Sequence, residues 1–234
     1  NRRLEDSRRQ AVTDELTELD LPVEGAIPPE LDGWYLRNGP NPRESSAHWF
    51  TGDGMIHGVR IEDGAVKWYR NRWVRTDSFD EPFPLYNEDG TRNLRAAVAD
   101  THVVNHAGKT LALVESSLPY EVTNDLETVG AYDFGGKLVD SMTAHPKICP
   151  TTGELHFFGY GNLFEPHVTY HRADASGELT IDQINEHLVL ARHDGVPRRR
   201  GERRRPVAVR VEHAGPHDAH LLLGTAAAQA LRVV

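Results

Sequence analysis

Four short turns constrain what this chain can fold into. Asp63-Gly64, Ala107-Gly108, Thr152-Gly153 and Ser176-Gly177 each interrupt a stretch rich in β-branched, aromatic or other apolar residues. A glycine-bearing pair between two such runs is a hairpin signal, because reversing a twisted strand needs backbone angles that glycine adopts without steric cost. "GMIHGVRIEDGAVKWYRNRWVRT", "THVVNHAGKTLALVES", "AHPKICPTTGELHFFGYG" and "HVTYHRADASGELTID" therefore read as antiparallel hairpins. "WYLRNGPNPRE" adds a short strand that ends in a turn of Gly, Pro and Asn. Almost no helical periodicity lies between these segments. The expected class is all-β, a meander of antiparallel strands as in a propeller or a barrel. Residues 1–21 are expected to be a polar lead-in, a short helix or disordered, and the β-rich region to run from 22 to 184.

Composition narrows the partners. The chain has 234 residues, 38% hydrophobic and 26% charged, which suits a soluble globular protein. No run approaches the ~20 apolar residues of a membrane span. The first residues, "NRRLEDSRRQ", lack the apolar core of a secretory signal. A single cysteine precludes an internal disulfide and fits a reducing cytoplasm. The net charge of −9 argues against general nucleic-acid binding. That charge is unevenly spread: residues 185–234 hold nine Arg, no Lys and five acids, a net of +4, which leaves −13 on residues 1–184. All 18 aromatic residues lie at or before Tyr170. Residues 185–234 thus read as a separate Arg- and Ala-rich tail outside the core. Its composition is what out-of-frame translation of GC-rich DNA produces.

Few motifs carry chemistry. There is no nucleophile elbow, no Gly-rich phosphate loop and no His-Glu-x-x-His helix. Cys149 precedes Pro150 and has only Lys147 as a nearby cation, so it reads as inert packing. Thirteen histidines remain. His145 is the most constrained of them, because Pro146 biases it towards extended geometry and the hairpin that follows fixes the strand direction. A metal ligand needs such a rigid mounting. From the residues alone His145 is either a metal ligand or a packed core histidine.

Five ordered segments then point to a family. "GAIPPELDGWYLRNGPNP", "HWFTGDGMIHGVRIEDG", "HAGKTLALVESSLPYEV", "LETVGAYDFGGKL" and "TAHPKICPTTGELHFFGYG" closely resemble the carotenoid cleavage oxygenases, the retinal pigment epithelial membrane protein family. The resemblance runs from about Pro22 to about Asp182 and covers the N-terminal half of a family chain. It implies part of a seven-bladed β-propeller, with ferrous iron held on the axis by four histidines. It also implies an iron(II) dioxygenase that adds O2 across a conjugated double bond of a carotenoid or apocarotenoid, giving two carbonyl products. By position His145 resembles the first iron ligand, and His193 in "LARHDGV" stands near the place of the second. Glu115 in "LALVESS" resembles a glutamate that orients one of the histidines. Asp53 in "WFTGDGM" reads as a turn former between structural glycines. His213, His217 and His220 crowd together and match no family position. Family members reach lipid-dissolved substrate through peripheral membrane contact, and "EPFPLY" offers Phe83 and Leu85 for it, although a loop anchored by buried Phe is the first reading. The expected location is cytoplasmic with membrane association. The competing reading is a truncated, inactive β-rich module without metal or catalysis. A zinc hydrolase is disfavoured, because no general base accompanies His145 at helix spacing.

Overall fold

The computed structural model describes residues 11–19, 21–43, 52–164 and 166–182. All of these fall in a compact unit spanning Asn1–Arg192, and a second unit, His193–Val234, lies outside the described residues. The proposed tail and His193 therefore lie outside them too.

Among the described residues twelve strands follow one another: β1 (Thr17–Leu19), β2 (Gly33–Pro40), β3 (Gly54–Glu62), β4 (Ala65–Trp73), β5 (His102–His106), β6 (Lys109–Leu113), β7 (Tyr120–Val122), β8 (Thr128–Ala131), β9 (Lys147–Ile148), β10 (Leu155–Tyr160), β11 (Val168–Ala173) and β12 (Leu179–Asp182). They make three four-stranded sheets, ordered β2-β3-β4-β1, β5-β6-β7-β8 and β9-β10-β11-β12. Every pairing is antiparallel. The all-β expectation holds among the described residues.

The four turn signals resolve into two chemistries. At Asp63-Gly64 and Ala107-Gly108 both central residues have positive φ (50° and 68°, 49° and 76°), which a two-residue turn matched to strand twist requires. The other two hairpins use longer loops, closed by Cys149 N–H to the Glu154 carbonyl (2.8 Å) and Asp174 N–H to the Glu178 carbonyl (3.0 Å). The β7–β8 turn carries no glycine pair. Thr123 makes it instead: its hydroxyl accepts from the Asp125 and Glu127 amides, and its own amide donates to the Glu127 carbonyl.

The polar lead-in is a correction. Thr17–Leu19 form β1, the outer strand of the first sheet, paired with Trp68–Arg70. Two buried asparagines stitch the preceding residues in place. Asn41 exchanges hydrogen bonds with the Val12 backbone (2.7 and 2.9 Å). Asn71 accepts from Leu16 N–H (2.6 Å) and donates to the Asp14 carbonyl (2.8 Å). The apolar pattern of this segment is weak because its partners are polar side chains, so periodicity could not announce the strand.

Two cores separate the three sheets. Ile56, Val74, Ala97, Ala99, Ala112, Tyr120, Val122 and Leu126 fill the first, between sheets one and two. Leu111, Leu113, Leu118, Phe134, Leu138, Met142, Ala144, Leu155, Phe157, Ala173 and Leu179 fill the second, between sheets two and three. Strand β6 serves both: Leu111 and Leu113 face one core and Ala112 the other, as the two-residue period of a strand requires. The sheets also repeat a diagonal polar pair between their second and third strands. His57 meets the Tyr69 hydroxyl at 2.8 Å in the first and His156 meets the Tyr170 hydroxyl at 2.5 Å in the third. The Lys109–Glu121 ion pair, at 2.7 Å, takes that place in the second.

Candidate functional site

Two of the predicted site residues, Glu115 and His145, meet where sheets two and three come together, and His193 lies outside the described residues. Glu115 follows β6, in the chain 114–118. His145 lies just ahead of β9. Two backbone links clip these segments together: an isolated bridge joins Ser117 to Met142, and Met142 N–H donates to the Ser117 carbonyl at 2.9 Å. Ser117 and Met142 are both buried. The segment 141–145 is also held against β10. Thr143 N–H donates to the Phe158 carbonyl (2.7 Å), and the Ser141 hydroxyl donates to the Tyr160 carbonyl (2.7 Å) while accepting from Tyr160 N–H (2.8 Å). His145 N–H then donates to the Thr143 hydroxyl at 3.2 Å.

The result is a three-member contact. His145 Nε2 lies 3.3 Å from Glu115 Oε1. The Tyr160 hydroxyl donates to Glu115 Oε2 at 2.6 Å, from 45 residues along the chain. Burial together with the Glu115 carboxylate pushes the Tyr160 phenol well above its ordinary range, so it stays a donor at neutral pH. The Glu115 side chain is 30% exposed and the His145 side chain 69% exposed. His145 is thus not a packed core residue. A ring that carries its proton on Nε2, towards Glu115, has its lone pair on Nδ1.

The backbone beside Glu115 is strained as well. Ser116, immediately after Glu115, has φ +60°, unusual for a side-chain-bearing residue. Its carbonyl is held by Arg92 Nε–H at 2.7 Å. Gly161 (φ +100°) packs against it so closely that a Cβ there would stand 2.8 Å from Ser116 Cβ. Only glycine fits that approach. The Tyr86 hydroxyl in turn holds the Gly161 carbonyl (3.2 Å).

His102, at the start of β5, was not singled out by its sequence context. Burial, and then the positive fields of His145 and Lys147, hold its imidazole below the usual range, so it favours the neutral form. Cys149 is half-buried, and its thiol is drawn below the usual range by the Thr152 hydroxyl and the Thr151 and Thr152 backbone amides. Asp53 pairs with Arg43 (2.8 Å), and its carbonyl accepts from Asn41 N–H. Phe83 and Leu85 are 38% and 56% exposed, so the expectation of a loop anchored by buried Phe fails for Phe83; the buried ring is Phe79.

The donor set fits one corner of an imidazole metal site and not a whole one. Among the described residues no group of three or more His, Cys, Asp or Glu side chains converges on a point that could hold a metal. A cavity of about 230 Å³ beside the site is lined by Arg92, Leu94, Val139, Leu163 and Phe164, among others. It falls below the ~300–1,000 Å³ of an ordinary ligand pocket. Among the described residues no helix is long and apolar enough to cross a membrane.

The comparison with known proteins is decisive for the family. The profile of the retinal pigment epithelial membrane protein family matches residues 9–218. The chain belongs to this family. The matched span includes His145, Glu115 and His193. A carotenoid cleavage oxygenase of Mycobacterium tuberculosis is 49% identical over 182 residues, 73% of this chain and 36% of the relative. The carotenoid 9,10(9',10')-cleavage dioxygenase 1 of Arabidopsis thaliana is 38% identical over 186 residues, 64% of this chain and 34% of the relative. The chain therefore spans about a third of the length of these relatives. Among solved structures, the lignostilbene dioxygenase of Pseudomonas brassicacearum superposes with a TM-score of 0.61 at 31% identity, covering 73% of this chain and 39% of that one.

Proposed function

We propose that the protein to which this chain corresponds is an iron(II)-dependent oxygenase that cleaves a conjugated double bond of a carotenoid or apocarotenoid into two carbonyl products. The observation that carries this reading is the contact of Glu115 with His145, two residues far apart in sequence that meet at 3.3 Å on an accessible edge. Carboxylate-to-imidazole contacts of this kind fix the ring and its tautomer in metal sites. His145, together with His193, would hold the metal, and Glu115 would orient the His145 ring. The three sheets are consecutive blades of a seven-bladed propeller in this reading. Supporting that, each inter-sheet core joins neighbours in chain order.

Neutral imidazoles suit a divalent iron and leave its charge uncompensated, so a nearby carboxylate recovers part of the balance. When bound, ferrous iron supplies the redox chemistry that dioxygen requires. A polyene has no polar handle, so its recognition rests on apolar walls. The similarity to enzymes named for carotenoids and for lignostilbene supports a conjugated double bond as the shared target. Peripheral contact with a membrane would bring such a substrate within reach, and exposed Phe83 and Leu85 are the residues for it.

A second reading has its own observation. With one imidazole exposed and no convergent donor cluster among the described residues, the chain would be a β-rich module without metal or catalysis. One experiment separates the two. The purified chain is reconstituted anaerobically with Fe(II), desalted, and assayed for iron and for aldehyde formation from a carotenoid. Stoichiometric iron and aldehyde products support the oxygenase. Iron at background levels supports the inert module.

A further inference from the structure

Glu115 could turn freely about its terminal bond if only His145 held it. A carboxylate of that mobility would orient a ring poorly, because a ligand must be held to within ~0.5 Å by neighbours that are themselves fixed. The other carboxylate oxygen is the place to look for the restraint, and Tyr160 occupies it at 2.6 Å.

Tyr160 is itself unusually well fixed for a strand-end residue. Its N–H and its carbonyl both engage the single hydroxyl of Ser141. Ser141 is fully buried. On the next residue, Gly161 is locked between the Tyr86 hydroxyl and Ser116. Ser116 is the residue after Glu115, so the backbones that carry the phenol and the carboxylate are held to each other independently of the hydrogen bond between them. Arg92 completes the frame by donating to the Ser116 carbonyl while its guanidinium lies 5.4 Å over the Tyr86 ring.

We propose that Tyr160 is a positioning residue: its hydroxyl pins one oxygen of Glu115 so that the other faces His145 and sets which ring nitrogen carries the proton. The role is indirect, since Tyr160 touches the carboxylate and not the imidazole. Its consequence for metal affinity rests on the reading of His145 as a ligand. Its consequence for the ring does not.

Tyr160→Phe tests this with the ring and the strand kept. The readout is the nitrogen–proton correlation spectrum of His145 in metal-free protein, with the signal identified by its loss in His145→Gln. In the unaltered chain one tautomer, protonated at Nε2, should dominate. Tyr160→Phe should move His145 towards a mixture, Glu115→Gln should do the same, and the double variant should go no further than either alone. Cobalt(II) titration should show a ~10–100-fold weaker affinity in both single variants. An unchanged His145 spectrum in Tyr160→Phe, with a changed one in Glu115→Gln, overturns the proposal. If the unaltered chain binds no cobalt(II) while Tyr160→Phe still shifts the His145 tautomer, the metal reading falls and the positioning role stands. Thermal melts of the two variants within a few degrees of the parent show that the fold is retained, and Glu115→Gln addresses the same contact from its other side.

Discussion

The two interfaces between sheets are built differently. The first holds Ala97, Ala99 and Ala112 with aliphatic side chains around one fully buried ring, Tyr120. The second holds a run of rings: Tyr132 against Phe134 (4.6 Å between centroids), Phe134 on Phe157 (5.8 Å) and Phe157 on His171 (5.0 Å). Only the second ends in the Tyr160–Glu115–His145 contact. Small residues bring backbones together with little to adjust. A run of rings in offset or tilted contact packs as rigid plates with preferred geometry. The interface that has to place a carboxylate against an imidazole from the neighbouring sheet is the one with the rigid filler.

This contrast can be broken most directly by emptying each core. Phe157→Ala should cost about 3–5 kcal/mol, whereas Ile56→Val in the first core should cost about 0.5–1.5 kcal/mol, both read from urea unfolding. An unmoved His145 signal in Phe157→Ala would mean that the aromatic stack has no part in placing the Glu115–His145 contact.

A pH comparison sharpens it. Asp100, beside the first core, is buried, and desolvation raises its carboxyl to about 6, with the Asp53 charge adding to the rise. A raised acid stabilises the fold at low pH and loses that contribution as pH climbs through about 6. His171, in the second interface, shifts the opposite way: burial lowers its imidazole below the usual range, against the pull of Asp140. Its Nδ1 is buried without a hydrogen-bond partner, while its Nε2 meets the Thr169 hydroxyl at 2.8 Å. A depressed base has its full contribution above about 6.5 and loses it as pH falls below that value. Asp100→Asn should abolish the decline between pH ~4 and ~6, worth at most about 3 kcal/mol, and His171→Phe should abolish the decline as pH falls below ~6.5. Melting curves across pH 4–8 would show it. Parallel responses from the two variants would show that the interfaces titrate alike.

The most local effect is at Gly161. Gly161→Ala places a Cβ against Ser116 at a positive φ and should cost about 1–3 kcal/mol. It should also displace Glu115, so that the His145 signal shifts as in Tyr160→Phe. A stability loss with an unmoved His145 signal would separate the Ser116 frame from the imidazole.

The hairpins were legible because their chemistry is local. Asp63-Gly64 and Ala107-Gly108 determine their own turns, and both have the positive φ values that such turns need. β1 and β7–β8 were not legible. Asn41 and Asn71 hold the first from a distance, and the Thr123 hydroxyl makes the second without a glycine pair. At the site, a family pattern pointed to Glu115 and His145, but Tyr160 carried no signal. A tyrosine ending a strand next to a glycine looks the same whether its hydroxyl meets water or a carboxylate.

By itself, then, the chain's order of residues determined strands, turns and membership of a family of oxygenases. Only the tertiary structure decided that β6 faces two cores at once and that its end lies against the segment leading into β9. The reason is range. A turn is settled by the angles of two neighbouring residues, while a contact such as Tyr160 with Glu115 exists only once two whole sheets have packed.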